Sequence, residues 1–160
     1  MMEALKFAMK EKMGMLIVLE QDMGLRDIEE TGVRLNGEVS KELLLTIFHD
    51  NTLLHDGAAV IANNRVVAAG CILPLTEQQE LSKILGMRHR AAIGLSEMAD
   101  AIVITVSEET GQLCIARNGK LQQSVDPADL ETMLYHLYRS KAEKILLRKA
   151  QRPAPPPNGA

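Results

Sequence analysis

Three short stretches bring together residue types that can act on a phosphate. In "LGMRHRAAIG" (85–94), Arg88, His89 and Arg90 stand in a row, after a glycine and before small apolar residues. Side by side these groups repel, and a polyanion would offset that repulsion. If a helix starts near Arg88, its first backbone N–H groups have no partner and its dipole adds about half a positive charge there. A phosphate group satisfies both, and two arginines offer forked donors to its oxygens. The same residues also suit a solvated helix start whose arginines pair with nearby glutamates.

In "LLHDGAAVI" (53–61), Asp56 lies between an apolar helix and an apolar strand, followed by Gly57 and two alanines. Gly57 permits close approach to the backbone. A carboxylate at such a junction can hold a divalent metal or take a proton from a hydroxyl; Asp-Gly is equally a common turn. In "VSEETGQL" (106–113), Ser107, Glu108 and Glu109 end one apolar run before Gly111. They read either as a solvated hairpin turn or as a hydroxyl and carboxylates lining a nucleotide pocket or a metal. The pairs His49-Asp50 and His55-Asp56 raise a metal-dependent phosphohydrolase. That chemistry wants several His and Asp converging, and the chain has only 4 His, one of them, His136, on a C-terminal helix where a surface position is expected.

These groups need a fold to position them, and 160 residues allow one domain with a sizeable core. The net charge of −3 argues against a general nucleic-acid binder, and 2% aromatics with no Trp argue against stacking platforms for single strands. Any anion site is therefore local. Cys71 and Cys114 sit in apolar runs without zinc spacing, so buried reduced thiols and a cytoplasmic setting are expected. No apolar run approaches the ~20 residues that span a bilayer, and the N-terminus has no secretory pattern.

Residues 2–12 read as an amphipathic helix with Gly14 at its C′ position, and 15–20 as a buried strand. "TGVRLNGEVS" (31–40) is turn-rich, with Ser40 capping a helix through "KELLLTIFH". Residues 57–75 look like two strands joined at Asn63-Asn64, which tolerates positive φ. "TEQQELSKIL" (76–85) reads as a helix ending at Gly86, and a second helix follows from Arg88. "AIVITVS" and "QLCIARNG" form another strand pair, and Asp126-Pro127 opens a long helix. The fold class implied is α/β: a single domain, 1–150, with a mixed central β-sheet flanked by helices, followed by a Pro-rich disordered tail, 151–160.

"LHDGAAVI", then "RHRAAIGLSE" about thirty residues on, then "VSEETG", together resemble the bacterial diadenylate cyclase domain. The likeness is greatest to the membrane-anchored class without its transmembrane segment, and it runs from the N-terminal helix to about Lys120. That family condenses two ATP molecules into cyclic di-AMP (c-di-AMP) and releases two pyrophosphates, using Mn²⁺, Mg²⁺ or Co²⁺. The resemblance implies that Asp56, with Gly57 and Ala58, helps activate the ribose 3′-hydroxyl. Arg88, His89 and Arg90 would hold the ATP phosphates, and Leu73 would line the adenine pocket. Ser107 and Glu108 would lie near phosphates and metal, with His55 beside that metal. Met87 stands where the family usually has Thr, which puts the adenine contact in question. No second ATP site is visible in the chain, so cyclisation requires two facing chains, a homodimer. A sensor that binds ATP or c-di-AMP without turnover competes with this reading. So does an interaction module, for which only "APPP" speaks. Membrane attachment, if it exists, lies in a segment absent from this chain.

Overall fold

The computed structural model describes residues 1–82 and 85–150. The expected tail, 151–160, and part of "TEQQELSKIL" lie outside the described residues. The first of two compact units spans Met1–Pro127. It is built on a seven-stranded mixed sheet: β1 (Met15–Leu19), β2 (Val33–Glu38), β3 (Ala58–Ala62), β4 (Arg65–Cys71), β5 (Ile102–Val106), β6 (Leu113–Arg117) and β7 (Lys120–Gln122). The strand order is β2-β4-β3-β1-β5-β6-β7. β1 pairs parallel with β3 and antiparallel with β5, and the remaining neighbours are antiparallel. The expected α/β class with a mixed sheet is what forms.

"MLIVL", "AAVIA" and "IVITV" run apolar without alternation because β1, β3 and β5 are buried along their whole length. A sheet covered on both faces demands that pattern. On one face, Leu16, Val18, Val60 and Val103 pack with Ala92, Ile93 and Leu95 of α5 (Met87–Met98). Alternation along β1 turns Met15, Ile17 and Leu19 to the other face. There α1 (Met2–Glu11) packs on β5 and on α3 (Lys41–Phe48). Ser40 caps α3 as expected, its Oγ accepting from the Leu43 N–H at 3.0 Å. Asn63 and Asn64 both take positive φ in the β3–β4 turn.

Several elements differ from expectation. "TGVRLNGEVS" contains β2 rather than only turns. β2 is an edge strand with a register shift between Arg34 and Gly37, and Asn36 there has φ 51°. A half-exposed edge strand needs no apolar pattern, and a bulge absorbs the turn-like Asn-Gly. α1 ends at Lys12, in the left-handed region with φ 52°, and not through Gly14; the Lys12 and Met13 N–H groups both reach the Ala8 carbonyl. α2 (Arg26–Glu29) and β7 were not foreseen, being short and polar. Within 76–85, helix α4 covers Gln79–Ser82. Gly86 serves as the N-cap of α5 instead of ending a helix.

From Ala128 the chain forms a second unit. Its described part is α6 (Pro127–Ala150), stiffened on its surface by an Arg139–Glu143 pair at 3.1 Å. His136 is exposed there. No helix among the described residues is long and apolar enough to cross a membrane.

Candidate active site

One end of the sheet collects the chemistry. The chain enters β1 at Gly14 and β3 at Gly57 at this end. Because β5 runs antiparallel to β1, it leaves β5 at Ser107 on the same side. The N-terminus of α5 arrives here too. A cleft of about 720 Å³ lies among these segments, within the ~300–1,000 Å³ range of small-molecule sites. His55 and Asp56 line it from the loop before β3, Met87, Arg88 and His89 from α5, and Ser107, Glu108 and Glu109 from the turn after β5.

The start of α5 is left open for an anion. Its N-cap is Gly86, which has no side chain to cap with, and its first turn carries no acidic residue. The first helical bond comes from the Arg90 N–H to the Gly86 carbonyl at 3.1 Å. The N–H groups before it, and the dipole, remain available to a ligand. Arg88 donates to Glu108 at 2.8 Å across the cleft. The arginine–glutamate pairing anticipated as the plain alternative therefore does form, but inside the cleft.

His55 Nδ1 lies 2.6 Å from the Thr52 carbonyl. A carbonyl can only accept, so Nδ1 carries the hydrogen, and in that tautomer Nε2 is the ring's acceptor. Asp56 is exposed, and its carboxylate has no hydrogen bond or ion pair among the described residues. Ser107 Oγ accepts from the N–H groups of Glu109 (3.3 Å) and Thr110 (3.2 Å), so the turn is a serine-stabilised one. Its hydroxyl hydrogen is left to donate elsewhere.

Four expected residues stand behind the cleft wall rather than on it. Gly57, at φ 107°, lets two chain segments cross: an added Cβ would lie 2.7 Å from the Cys71 carbonyl oxygen. Ala58 and Leu73 are buried in the core. Arg90 is half-buried, its Nε is enclosed without a hydrogen-bond partner among the described residues, and its carbonyl accepts from the Thr76 N–H at 3.1 Å. His49 and Asp50 do not line the cleft; the His49 ring bonds to the Asp50 carbonyl instead. The wall also includes Gln112, Cys114 and Gln123, which were not anticipated. Cys114 comes from β6, Gln112 from the turn before it and Gln123 from the chain just after β7, and no local motif marks their place on the wall. Cys71 and Cys114 are free and buried, and burial with Glu29 nearby pushes the Cys71 thiol up to about 11.

Burial and the neighbouring Arg88 charge lower the pKa of His89 below its ordinary 6.5, with Glu109 opposing. At neutral pH His89 is therefore uncharged. An unfolded chain protonates this histidine near pH 6.5, whereas the folded chain resists until its lower pKa is passed. Stability should fall as pH drops through that window, because the unfolded state binds more protons there. His89→Gln should flatten this part of the stability curve, measured by thermal melts between pH 7.5 and 5. An unchanged slope would assign the effect to another group.

The model of the family described as "DisA bacterial checkpoint controller nucleotide-binding" matches residues 2–121. The chain belongs to this family. Among curated relatives, this nucleotide-binding domain is 48% identical over 132 residues to the cyclic di-AMP synthase CdaA of Bacillus subtilis, covering 82% of this chain and 48% of that protein. Among solved structures, a double mutant of DacA from Staphylococcus aureus matches with a TM-score of 0.83 at 40% identity, over 86% of this chain and 91% of that one. A hypothetical membrane spanning protein from Bacillus cereus matches with a TM-score of 0.74 at 44% identity, over 78% and 61% of the two chains. The domain spans about half the length of the first curated relatives it matches. The resemblance carried by the three motifs and the family match agree.

Proposed function

We propose that this chain is the catalytic domain of a diadenylate cyclase, condensing two ATP into c-di-AMP and two pyrophosphates. The observation that carries the reading is the convergence of the three motifs on one cleft at the open N-terminus of α5. The name of the B. subtilis relative, a cyclic di-AMP synthase, supports the product. Arg88 and the α5 N–H groups hold the triphosphate, neutral His89 adds a hydrogen bond, and Ser107 donates to a phosphate oxygen. Arg90 supports the clamp from behind, with Gly57 and Ala58 setting Asp56 in place. Met87, 66% exposed at the rim, packs on adenine, and Leu73 backs that end from the core. Asp56 accepts the proton of the ribose 3′-hydroxyl; the new bond joins that oxygen to the α-phosphorus of the facing nucleotide, and pyrophosphate leaves. Nucleotidyl transfer of this kind depends on positioning and charge more than on covalent help.

A divalent ion, Mn²⁺, Mg²⁺ or Co²⁺, fits the donors present. No group of three His, Cys, Asp or Glu suited to a metal occurs among the described residues. Mg²⁺-type sites nevertheless use one or two carboxylates and complete their shell with phosphate oxygens and water. Asp56, with either His55 Nε2 or Glu108 as a second donor, would hold it, phosphate oxygens and water completing the shell. When bound, it polarises the phosphate and lowers the pKa of the hydroxyl.

One cleft of this composition presents one nucleotide, so two chains must face each other as a homodimer. Anchoring to the cell membrane through a segment outside this chain is in keeping with the membrane spanning relative, and free, buried Cys71 and Cys114 suit a domain in the cytoplasm. The test is incubation with ATP and Mn²⁺, followed by chromatography and pyrophosphate assay. Expected are c-di-AMP with two pyrophosphates each, and a rate per chain that rises with chain concentration. ATP retained but unchanged would favour the sensor reading. A rate per chain that stays constant where the protein is monomeric would refute the facing pair.

A further inference from the structure

Gly14 occupies the junction between α1 and β1, and it is buried. Its backbone does not require glycine, since it is not among the positive-φ residues. Space requires it. A Cβ built there would fall 2.7 Å from both Cζ and Nη1 of Arg88 and 3.1 Å from Nη2, and these guanidinium atoms are its three nearest neighbours. The guanidinium therefore lies against bare backbone, while Nη1 reaches Glu108 at 2.8 Å on its other side.

Most other tight glycines face fixed atoms. Gly57 and Gly94 meet backbone on all three nearest contacts, Gly111 first meets the Met9 carbonyl oxygen, and Gly32 first meets that of Ala69. At those positions a Cβ would force the fold to move. At Gly14 the obstacle is the far end of a long, flexible side chain, so the side chain yields and the fold does not. Gly37 and Gly119 likewise meet side chains, those of Leu43 and Glu97, but neither residue lines the cleft. Among the described glycines only Gly14 meets a cleft residue this way.

We propose that Gly14 is a positioning residue for the nucleotide site: it sets the seat of the Arg88 guanidinium, and through it the grip on the triphosphate. This rests on the reading of Arg88 as a phosphate-binding residue. A planar guanidinium gives two parallel bonds to a phosphate only at a defined tilt. A methyl at position 14 displaces the plane and breaks its alignment with Glu108 and with the start of α5.

The experiment is a double-mutant cycle read by calorimetric titration of ATP in excess Ca²⁺, a divalent ion chosen to slow turnover, with thermal melts alongside. Gly14→Ala should weaken ATP binding roughly tenfold, as expected for loss of one charge-assisted bond, with an unchanged melting temperature. In an Arg88→Ala background the same change should have no further effect. Arg88→Lys, whose slim ammonium avoids the added methyl, should also make position 14 indifferent. If Arg88→Ala leaves ATP binding unchanged, the underlying reading of Arg88 fails. If Arg88→Ala weakens binding but Gly14→Ala does not, the proposal alone fails. Equal losses from Gly14→Ala with and without Arg88, or a melting temperature several degrees lower, would assign Gly14 a merely structural role and overturn it.

Discussion

Asp56→Asn should leave a folded chain that binds ATP and makes almost no cyclic dinucleotide. The side chain is exposed, and among the described residues no hydrogen bond or ion pair ties it to the fold. Asparagine has the same shape and tolerates the same backbone, so the junction before Gly57 survives. The charge is what disappears. An amide cannot take the proton of an attacking hydroxyl, and it is a poor ligand for a divalent cation. Loss of a positioned general base costs about 10²–10⁴ in rate, and loss of the carboxylate toward a metal adds to that. Product measured by mass spectrometry at saturating ATP and Mn²⁺, with a thermal melt as control, decides the matter. Turnover within tenfold of the parent would remove Asp56 from the chemistry.

Gly94→Ala should damage the fold itself. α5 carries a strap, residues 73–78, along one stripe of its surface. The Arg90 carbonyl accepts from the Thr76 N–H at 3.1 Å. Glu97 accepts from Thr76 Oγ1 at 2.9 Å and from Gln78 Nε2 at 2.6 Å. Positions 90, 94 and 97 share that stripe by helical periodicity. Between the two anchor points lies Gly94, where a Cβ would fall 2.1 Å from the Pro74 carbonyl oxygen and 2.7 Å from the Thr76 nitrogen. Both are backbone atoms, and the Thr76 nitrogen is already held by the Arg90 carbonyl. Alanine improves helix propensity by about 1 kcal/mol, but overpacking costs about 1–3 kcal/mol or more. Lifting the buried Thr76 off its partners costs about 1–3 kcal/mol again. The net loss of about 1–5 kcal/mol corresponds, at the middle of that range, to a melting temperature lower by roughly 10 °C for a domain of this size. A shift of less than two degrees would show that the strap can slide. The contrast with Gly14→Ala is direct, since there the melting temperature should hold and ligand binding should fall.

The strap also explains the run of small residues after Arg-His-Arg. Ala91 and Ala92 bring α5 down on the sheet, and Gly94 admits the strap. The sequence motif is contiguous, but on a helix successive residues point about 100° apart. Arg88 and His89 therefore reach the cleft while Arg90 stands behind it. That division was not readable from the string of letters. What was readable was whatever burial imposes locally. The continuous apolar runs of β1, β3 and β5 marked buried strands, and Arg-His-Arg before small apolar residues marked a helix start near Arg88, although Gly86 was read as the end of a preceding helix and not as the N-cap of α5. β2 and β7 escaped notice because edge strands are held by one neighbour and need no apolar pattern. Gln123 and Cys114 escaped because their place on the wall depends on strand order, which no local spacing encodes. Gly14 was legible as a glycine near a helix end, but its real constraint is a side chain 74 positions away in sequence.

The opposite end of the sheet suits attachment. The turn Asn63-Asn64, the turn Asn118-Gly119 and the loop after β1 all lie there, away from the cleft. At about 3.3 Å per residue, a five-residue strand such as β3 holds its turn roughly 16 Å from the cleft end of the sheet. A dye, a tether or an inserted peptide placed at Asn63-Asn64 would report on this domain, or immobilise it on a surface, while its reacting end stays open to solution.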